Sequence, residues 1–262
     1  MAKAILQVNN LSKRFVKGFS GFKRHYLQAL KPTSFELFEG ETLAIVGETG
    51  SGKSTLAKIL AGAESRSSGE ILFDGQPLER RNNKQRCQLI RMIFQDPNTS
   101  LNPKLTIGEL LEEPLRFNTD LNEEQRASLV AQNLRKVDLL PDYANYYPNM
   151  LSGGQRQRVA VARALMLDPK VIIADEALSE LDMSVRAQII ALLLELQKQN
   201  GLSFIIVSHD LNIIKHISDR TMVMLDGEIV DIGITAELFE QPNHEYSRRL
   251  IEEQQALEKA RL

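Results

Sequence analysis

One eight-residue segment constrains the fold of this chain more than any other feature: Gly47-Glu-Thr-Gly-Ser-Gly-Lys-Ser54 has the spacing G-x-x-x-x-G-K-[ST]. An apolar stretch (residues 43–46) precedes it, and a helical pattern (residues 55–60) follows it. Glycines let the main chain curl so that its N–H groups point at phosphate oxygens, and a helix start adds positive potential. The segment therefore predicts a strand, a phosphate-binding loop and a helix, with Lys53 on the β- and γ-phosphates and Ser54 on Mg²⁺.

Strand-like and helix-like segments alternate over most of the sequence, which favours an α/β fold with a parallel sheet. The beginning is rich in short strands, two of which are predicted at residues 5–8 and 33–37. Fully apolar runs at residues 171–174 and 204–207 are typical of strands that are buried on both faces of a parallel sheet. Residues from about 98 to 150 contain no convincing strand and predict a helical insert.

Two carboxylates, Asp175 and Glu176, directly follow one of these apolar runs. Ligands gather at the carboxyl ends of parallel strands, so Asp175 can hold Mg²⁺ and Glu176 can polarise the water that attacks a γ-phosphate. Adjacent carboxylates in a dry site would repel each other without a cation. A strand that simply ends in charged residues is the alternative, and the phosphate-binding loop elsewhere in the chain favours the metal site.

The pentapeptide Leu151-Ser-Gly-Gly-Gln155 stands directly before a helical pattern, with Ser152 placed as its N-cap. A serine hydroxyl and glycine N–H groups at a helix start form an anion site. The alternative is a glycine turn between two helices. With this motif ahead of the acidic strand end, the chain resembles the ABC ATPase family.

The resemblance implies an α/β fold of the P-loop NTPase class. Its elements are a RecA-like core with a parallel sheet, an N-terminal antiparallel β subdomain and a helical insert. It also implies that residues 1–262 form a single ABC ATP-binding domain. A helical subdomain at about 96–155 would carry the signature pentapeptide, and a helical extension would follow at about 236–262.

Residue roles follow from the same resemblance, with ATP and Mg²⁺ as cofactors. The catalytic residues would be Glu176, His209 at the γ-phosphate, and Gln95. Metal contacts are implied for Ser54, Gln95 and Asp175. Nucleotide contacts are implied for Phe15 on the adenine, for Gly47, Glu48, Thr49, Gly50, Ser51, Gly52, Lys53, Ser54 and Thr55, and for the signature residues Ser152, Gly153, Gly154 and Gln155. Phe15 could instead be a hydrophobic residue beneath a loop, because a polar and basic stretch, Lys17 to His25, follows it.

Two further segments, Phe94-Gln-Asp-Pro-Asn-Thr-Ser-Leu-Asn-Pro103 and Glu237-Leu-Phe-Glu-Gln-Pro-Asn-His-Glu-Tyr246, are similar to the oligopeptide, dipeptide and nickel importer subfamily. The resemblance implies a peptide importer with a link to antimicrobial-peptide resistance. The chain would sit peripherally on the cytoplasmic face of the bacterial inner membrane. Its partners would be a second ABC ATPase subunit, identical or different, two transmembrane permeases and, indirectly, a periplasmic peptide-binding protein.

The chain departs from the family pattern at two positions beside catalytic residues. Ala177 stands where the family usually has proline, and Glu180 stands where a small residue is commoner. Both predict slower ATP hydrolysis than in related subunits. They keep open a second reading, in which the chain binds ATP and mainly regulates a more active partner.

The amino-acid composition limits which other classes of protein this chain could belong to. A net charge of −2 provides no basic footprint for nucleic acid, so an ABC ATPase that acts on ribosomes or DNA is a minor alternative. The single cysteine, Cys87, fits a reducing compartment. No apolar run is long enough for a membrane helix and the first ten residues do not resemble a signal peptide, so other chains are expected to hold this one at the membrane.

Overall fold

The computed structural model describes residues 3–20, 23–79, 83–94, 100–178 and 181–259. The strands are β1 (Ala4–Ser20), β2 (Lys23–Phe38), β3 (Thr42–Val46), β4 (Ser68–Phe73), β5 (Gln76–Pro77), β6 (Ile90–Ile93), β7 (Val171–Asp175), β8 (Ser203–Val207), β9 (Arg220–Leu225) and β10 (Glu228–Ile234). The helices are α1 (Lys53–Ala61), α2 (Asn83–Leu89), α3 (Ile107–Asn118), α4 (Glu123–Lys136), α5 (Gly153–Leu165), α6 (Met183–Asn200), α7 (Leu211–Ile217), α8 (Thr235–Glu240) and α9 (Glu245–Lys259), with 3₁₀ turns at Pro141–Asn145 and Pro148–Met150.

The chain divides into two compact units, of which the first comprises Met1–Asn82 and Ser203–Leu262. It contains an antiparallel sheet in the order β2-β1-β4-β5. Beside this sheet, β3 pairs in parallel with both β8 and β9, and β10 runs antiparallel to β9. Every residue of β3 and β8 is buried, which explains why both strands are unbroken apolar or small-residue runs in the sequence.

The two N-terminal strands are much longer than the sequence analysis predicted. Pairing between β1 and β2 continues past the predicted segments, through Phe15 opposite Leu27 and Val16 opposite Tyr26, to Ser20. Within the basic stretch after Phe15, residues 17–20 and 23–25 are therefore strand. Its side chains lack a simple alternation of apolar and polar residues, and the ladder is interrupted by several register shifts, so the usual period-of-two signal is missing.

The second unit comprises Asn83–Leu202. Strands β6 and β7 pair in parallel, with Ile93 opposite Ala174. The predicted helical insert is present: residues 100–150 carry α3 and α4, and contain no strand. Both helices begin with a capping box, at Thr106 and at Asn122, in which a side-chain oxygen accepts from a main-chain N–H three residues on.

Two chain reversals, one in each unit, contain a glycine at positive φ. Asp226 and Gly227, at φ 47° and 78°, form the turn of the β9–β10 hairpin. Gly201, at φ 63°, ends α6 as a left-handed cap. Within the described ranges, no helix is both long and apolar enough to cross a membrane.

Candidate functional site

The segment between β3 and α1 adopts a curled conformation that only glycine permits at key positions. Gly47, Gly50 and Gly52 have φ values of 144°, 88° and 103°. A Cβ atom on Gly47 would lie 2.2 Å from the carbonyl oxygen of Met224, and one on Gly52 would lie 2.8 Å from that of Ala29. The glycine spacing is therefore required by close main-chain neighbours as well as by the turn itself.

Lys53 begins α1 and turns its ammonium group into this curl. The residue is buried, and Nζ donates to the carbonyl oxygens of Gly47 and Glu48, at 2.8 Å each. Ser54 and Thr55 follow in the first turn of the helix and are half-buried. A cation and the N–H groups of a helix start thus lie at one place, which is the arrangement that attracts phosphate groups.

The β9–β10 turn holds the loop from one side. The N–H of Gly227 donates to the carbonyl oxygen of Ser51 at 3.0 Å, and the carbonyl oxygen of Gly227 accepts from the N–H of Lys31 at 2.9 Å. The turn therefore ties the loop to β2. No local pattern in the sequence indicates this contact, because the residues involved are far apart along the chain.

Tyr246, on the C-terminal helix α9, holds the loop from another side. Its hydroxyl accepts from the N–H of Glu48 at 3.0 Å, across 198 positions of sequence. In the sequence, Tyr246 stands only in a segment that resembles the importer subfamily, and no contact with the loop was predicted for it. No local pattern in the sequence could have shown this pairing.

His209 lies at the same sheet edge as the phosphate-binding loop. Strands β3 and β8 are parallel neighbours with Ile45 opposite Val207, and Ser208 donates its N–H to the carbonyl oxygen of Ile45 at 3.2 Å. The loop leaves β3 and His209 leaves β8 at corresponding levels. His209 is exposed, and the next residue, Asp210, caps α7. The structure therefore brings His209 and the loop into one region of the first unit.

Phe15 lies on β1 in the same unit and is half-buried. The ammonium of Lys13 stands 4.6 Å from the centroid of its ring, and the same ammonium pairs with Glu64 at 2.7 Å. This cation–π contact orients the aromatic ring. Adenine stacking on Phe15 stays a prediction.

The acidic pair belongs to the second unit. Asp175 is buried at the end of β7, and Glu176 follows it with a left-handed φ of 50°. Such a conformation is uncommon for a residue with a Cβ and is concentrated at functional sites. Gln95, predicted as a catalytic and metal-contacting residue, and Glu180, one of the two departures from the family pattern, lie outside the described residues.

The signature pentapeptide also belongs to the second unit, where it forms the predicted helix start. The Ser152 hydroxyl accepts from the N–H of Gln155, whose side-chain oxygen accepts from the N–H of Ser152. Gln155 Nε2 donates to the Tyr143 hydroxyl at 3.0 Å. Gly153 and Gly154 are the first residues of α5, so the predicted N-cap role of Ser152 is confirmed. The N–H groups at the start of this helix can bind an anion.

The candidate metal ligands are oxygen donors of the kind Mg²⁺ prefers. No group of three or more His, Cys, Asp or Glu residues among the described residues could hold a metal. Mg²⁺ typically uses one or two carboxylates together with substrate phosphates. The hydroxyl of Ser54 and the carboxylate of Asp175 fit that chemistry, whereas a soft thiolate or imidazole site would not.

Comparison with known proteins gives the class. The sequence model of the ABC transporter family matches residues 30–179, more than half of the chain, and the chain therefore belongs to this family. It is an ATPase of the ABC type, and the α/β fold class expected from the sequence is confirmed.

Individual relatives place it more closely. The chain is 54% identical over 251 residues to SapF of Escherichia coli (strain K12), named a putrescine export system ATP-binding protein, covering 96% of this chain and 94% of the relative. Identity and coverage are the same for SapF of Salmonella typhimurium, named a peptide transport system ATP-binding protein. It is 44% identical to the dipeptide transport ATP-binding protein DppF of Escherichia coli (strain K12), covering 96% of this chain and 76% of DppF.

Solved structures agree with the class and the fold. The structure of cbiO1 from Clostridium perfringens, described as part of the ABC transporter complex cbiONQ, superposes with a TM-score of 0.78 at 31% identity, covering 91% of this chain and 92% of cbiO1. A dimeric ATP-binding cassette in a post-hydrolysis state, bound to ADP and Pi, superposes with a TM-score of 0.75 at 33% identity, covering 88% of this chain and 98% of that one.

Proposed function

We propose that this chain is the ATP-hydrolysing subunit that powers a peptide-type ABC importer of the bacterial inner membrane. The observation that carries the proposal is the 54% identity across 96% of the chain with a subunit named for peptide transport. The buried Lys53 in a curled, glycine-rich loop supports the proposal. This geometry places a cation and main-chain N–H donors where the phosphates of a nucleoside triphosphate would bind.

ATP binding begins at the loop. The N–H groups of residues 49–55 and the start of α1 receive the phosphates, and Lys53 exchanges its carbonyl acceptors for phosphate oxygens, which are stronger acceptors because they are charged. Ser54, Asp175 and Gln95 are the residues that would hold Mg²⁺, and the ion would supply positive charge that offsets the charge of the phosphates. Phe15 stacks on the adenine.

Hydrolysis uses a separate set of groups. Glu176 polarises the attacking water and His209 contacts the γ-phosphate. The helix start at Ser152 to Gln155 serves the nucleotide held by a second ABC subunit, so that ATP closes the pair and hydrolysis releases it. A related cassette is itself dimeric and holds ADP and Pi. Such a bistable pair can move membrane partners.

The remaining assignments complete the proposal. Residues 1–262 act as one ABC domain, with about 96–155 as its helical subdomain and about 236–262 as its C-terminal extension. Two transmembrane permeases would hold the chain at the cytoplasmic face, and a periplasmic peptide-binding protein would deliver the substrate. Putrescine export is the second candidate, because one relative with the same identity carries that name.

The test starts with partners and ends with transport. The tagged chain is purified from gently solubilised membranes of its native cell, and co-purifying proteins are identified by mass spectrometry. Two permeases and a second ATPase are expected. Recovery of ribosomal or DNA-repair proteins without permeases would overturn the transporter role.

Transport assays then decide the substrate. Uptake of a labelled peptide and efflux of labelled putrescine are compared in a deletion strain complemented with the wild-type gene or with Lys53→Ala. Peptide uptake that depends on Lys53 supports the importer. Putrescine efflux that depends on Lys53, with unchanged peptide uptake, supports export instead.

A further inference from the structure

The C-terminal helix α9 touches the phosphate-binding loop through its first two turns. The Tyr246 hydroxyl accepts from the N–H of Glu48 at 3.0 Å, and Arg249 pairs with the Glu48 carboxylate at 3.2 Å. The Arg249 guanidinium also lies 5.5 Å from the Tyr246 ring centroid. Tyr246 is buried at 6% exposure, whereas the Arg249–Glu48 ion pair is largely exposed. The exposed ion pair therefore contributes little to the stability of the contact between helix and loop.

The position of Tyr246 is itself fixed from the sheet. Asp231 on β10 is buried, and its carboxylate accepts from the N–H groups of Asn243 and His244, at 3.0 and 3.2 Å. His244 Nδ1 in turn accepts from the N–H of Tyr246 at 3.1 Å. A continuous series of hydrogen bonds therefore runs from β10 through the start of α9 to the loop.

The hydrogen bond to Glu48 falls on a critical peptide group. The N–H of Glu48 and the carbonyl of Gly47 belong to the same planar peptide unit, so they rotate together. The carbonyl end accepts from Lys53 Nζ at 2.8 Å, and the N–H end donates to Tyr246. A hydrogen bond that fixes the N–H of Glu48 therefore also fixes the carbonyl oxygen of Gly47, which is an acceptor for Lys53.

We propose that Tyr246 is a positioning residue for ATP binding, which sets the orientation of the Gly47–Glu48 peptide and thereby the place of Lys53. The inference rests on the proposed nucleotide role of the loop and adds to it a dependence on the C-terminal helix. Burial is the main cause that raises the pKa of the Tyr246 hydroxyl above its ordinary value of 10.0, so the group stays a neutral phenol.

A purely structural role would make Tyr246 an anchor for α9 and nothing more. Tyr246→Phe separates the two roles, because it keeps the ring and its burial and removes only the hydroxyl. Arg249→Met is the matched control: it removes the exposed ion pair to Glu48 but leaves the peptide N–H bonded.

The experiment uses the full chain and measures the Kd of MgATP, the KM and kcat of ATP hydrolysis, and the Tm without nucleotide. We expect Tyr246→Phe to raise Kd and KM about three- to tenfold, the effect of losing one part-buried hydrogen bond to the main chain. We expect kcat to change less than KM, and Arg249→Met to stay within about twofold of the wild type on every parameter.

Three other outcomes would contradict the proposal or the function on which it rests. Unchanged Kd and KM in Tyr246→Phe, or a variant that does not fold, would make the hydroxyl a structural anchor and overturn the proposal. Equal losses in Tyr246→Phe and Arg249→Met would overturn the peptide mechanism. A wild-type chain that does not bind ATP would overturn the nucleotide function itself, which is a distinguishable result.

Discussion

Val185 packs against the main chain of Gly154 so closely that a Cβ atom on Gly154 would lie 2.8 Å from Val185 Cγ1. Gly154 is in the first turn of α5, and Val185 is in the first turn of α6. The second glycine of the signature pentapeptide is therefore needed for helix packing within the second unit. A Cβ atom on Gly153, one residue earlier, would have no neighbouring atom within 4 Å.

This difference predicts unequal effects of two alanine substitutions on stability. Gly154→Ala should lower the free energy of unfolding by about 1–3 kcal/mol, because β-branched Val185 has little freedom to move aside. Gly153→Ala is the matched control and should be neutral or slightly stabilising, because alanine favours the helix. Thermal unfolding of the full chain measures both. Equal Tm values for the two variants would contradict the packing argument.

Glu176→Gln tests whether this residue polarises the attacking water. ATP turnover should fall about 10²- to 10⁴-fold, the usual contribution of a general base. The affinity for MgATP should be retained, because the loop is untouched. Glu124→Gln, which changes an exposed carboxylate of α4, is the control and should leave both unchanged. Unaltered turnover in Glu176→Gln would favour the reading in which this subunit binds ATP and regulates a partner.

Ala177→Pro tests the departure from the family pattern. Ala177 is buried directly after Glu176, whose φ is 50°. Proline at 177 would favour extended main chain at the preceding residue and so move Glu176 out of the left-handed region. Because the family usually has proline at this position, an extended Glu176 would match the arrangement of faster relatives, and we expect a higher kcat for ATP hydrolysis. Ala177→Ser controls for the change of side chain alone, and an unaltered kcat in Ala177→Pro would remove the proposed link between Ala177 and slow turnover.

Glu41 gives the first unit a predictable pH dependence. Its nearly buried carboxylate accepts from the N–H of Phe38 at 2.6 Å and pairs with Arg220 at 3.0 Å. Burial is the largest effect and raises the pKa of Glu41 above 4.5, while the Phe38 N–H and Arg220 oppose it. The folded state thus binds more protons than the unfolded state between the two pKa values. The stability contributed by this group is complete below the unfolded pKa and is lost as pH rises through the folded pKa.

Glu41→Gln should remove that loss, because glutamine does not ionise. Urea unfolding from about pH 4 to pH 7 should show the free energy of unfolding of the wild type falling, relative to the variant, as pH rises. The exposed Glu39→Gln serves as control and should follow the wild type. Parallel curves for the wild type and Glu41→Gln would show that the pairing with Arg220 cancels the effect of burial.

Much of the fold and the candidate site could be predicted because the relevant signals are local. The glycine spacing before Lys53, the cap at Ser152 and the turn at Asp226 each depend on neighbours within a few residues. The buried strands were visible as apolar runs. The length of β1 and β2 was not, because register shifts along that hairpin remove a regular alternation of side chains.

The sequence by itself determined the class of protein, the phosphate-binding loop and the residues that carry its chemistry. These features depend on short-range conformational preferences, which adjacent residues set. Only the tertiary structure decided that Tyr246 bonds to Glu48 and that Val185 lies against Gly154. These contacts join segments that are distant along the chain. They arise from packing and from the pairing of main-chain N–H groups, and neither leaves a local pattern in the sequence.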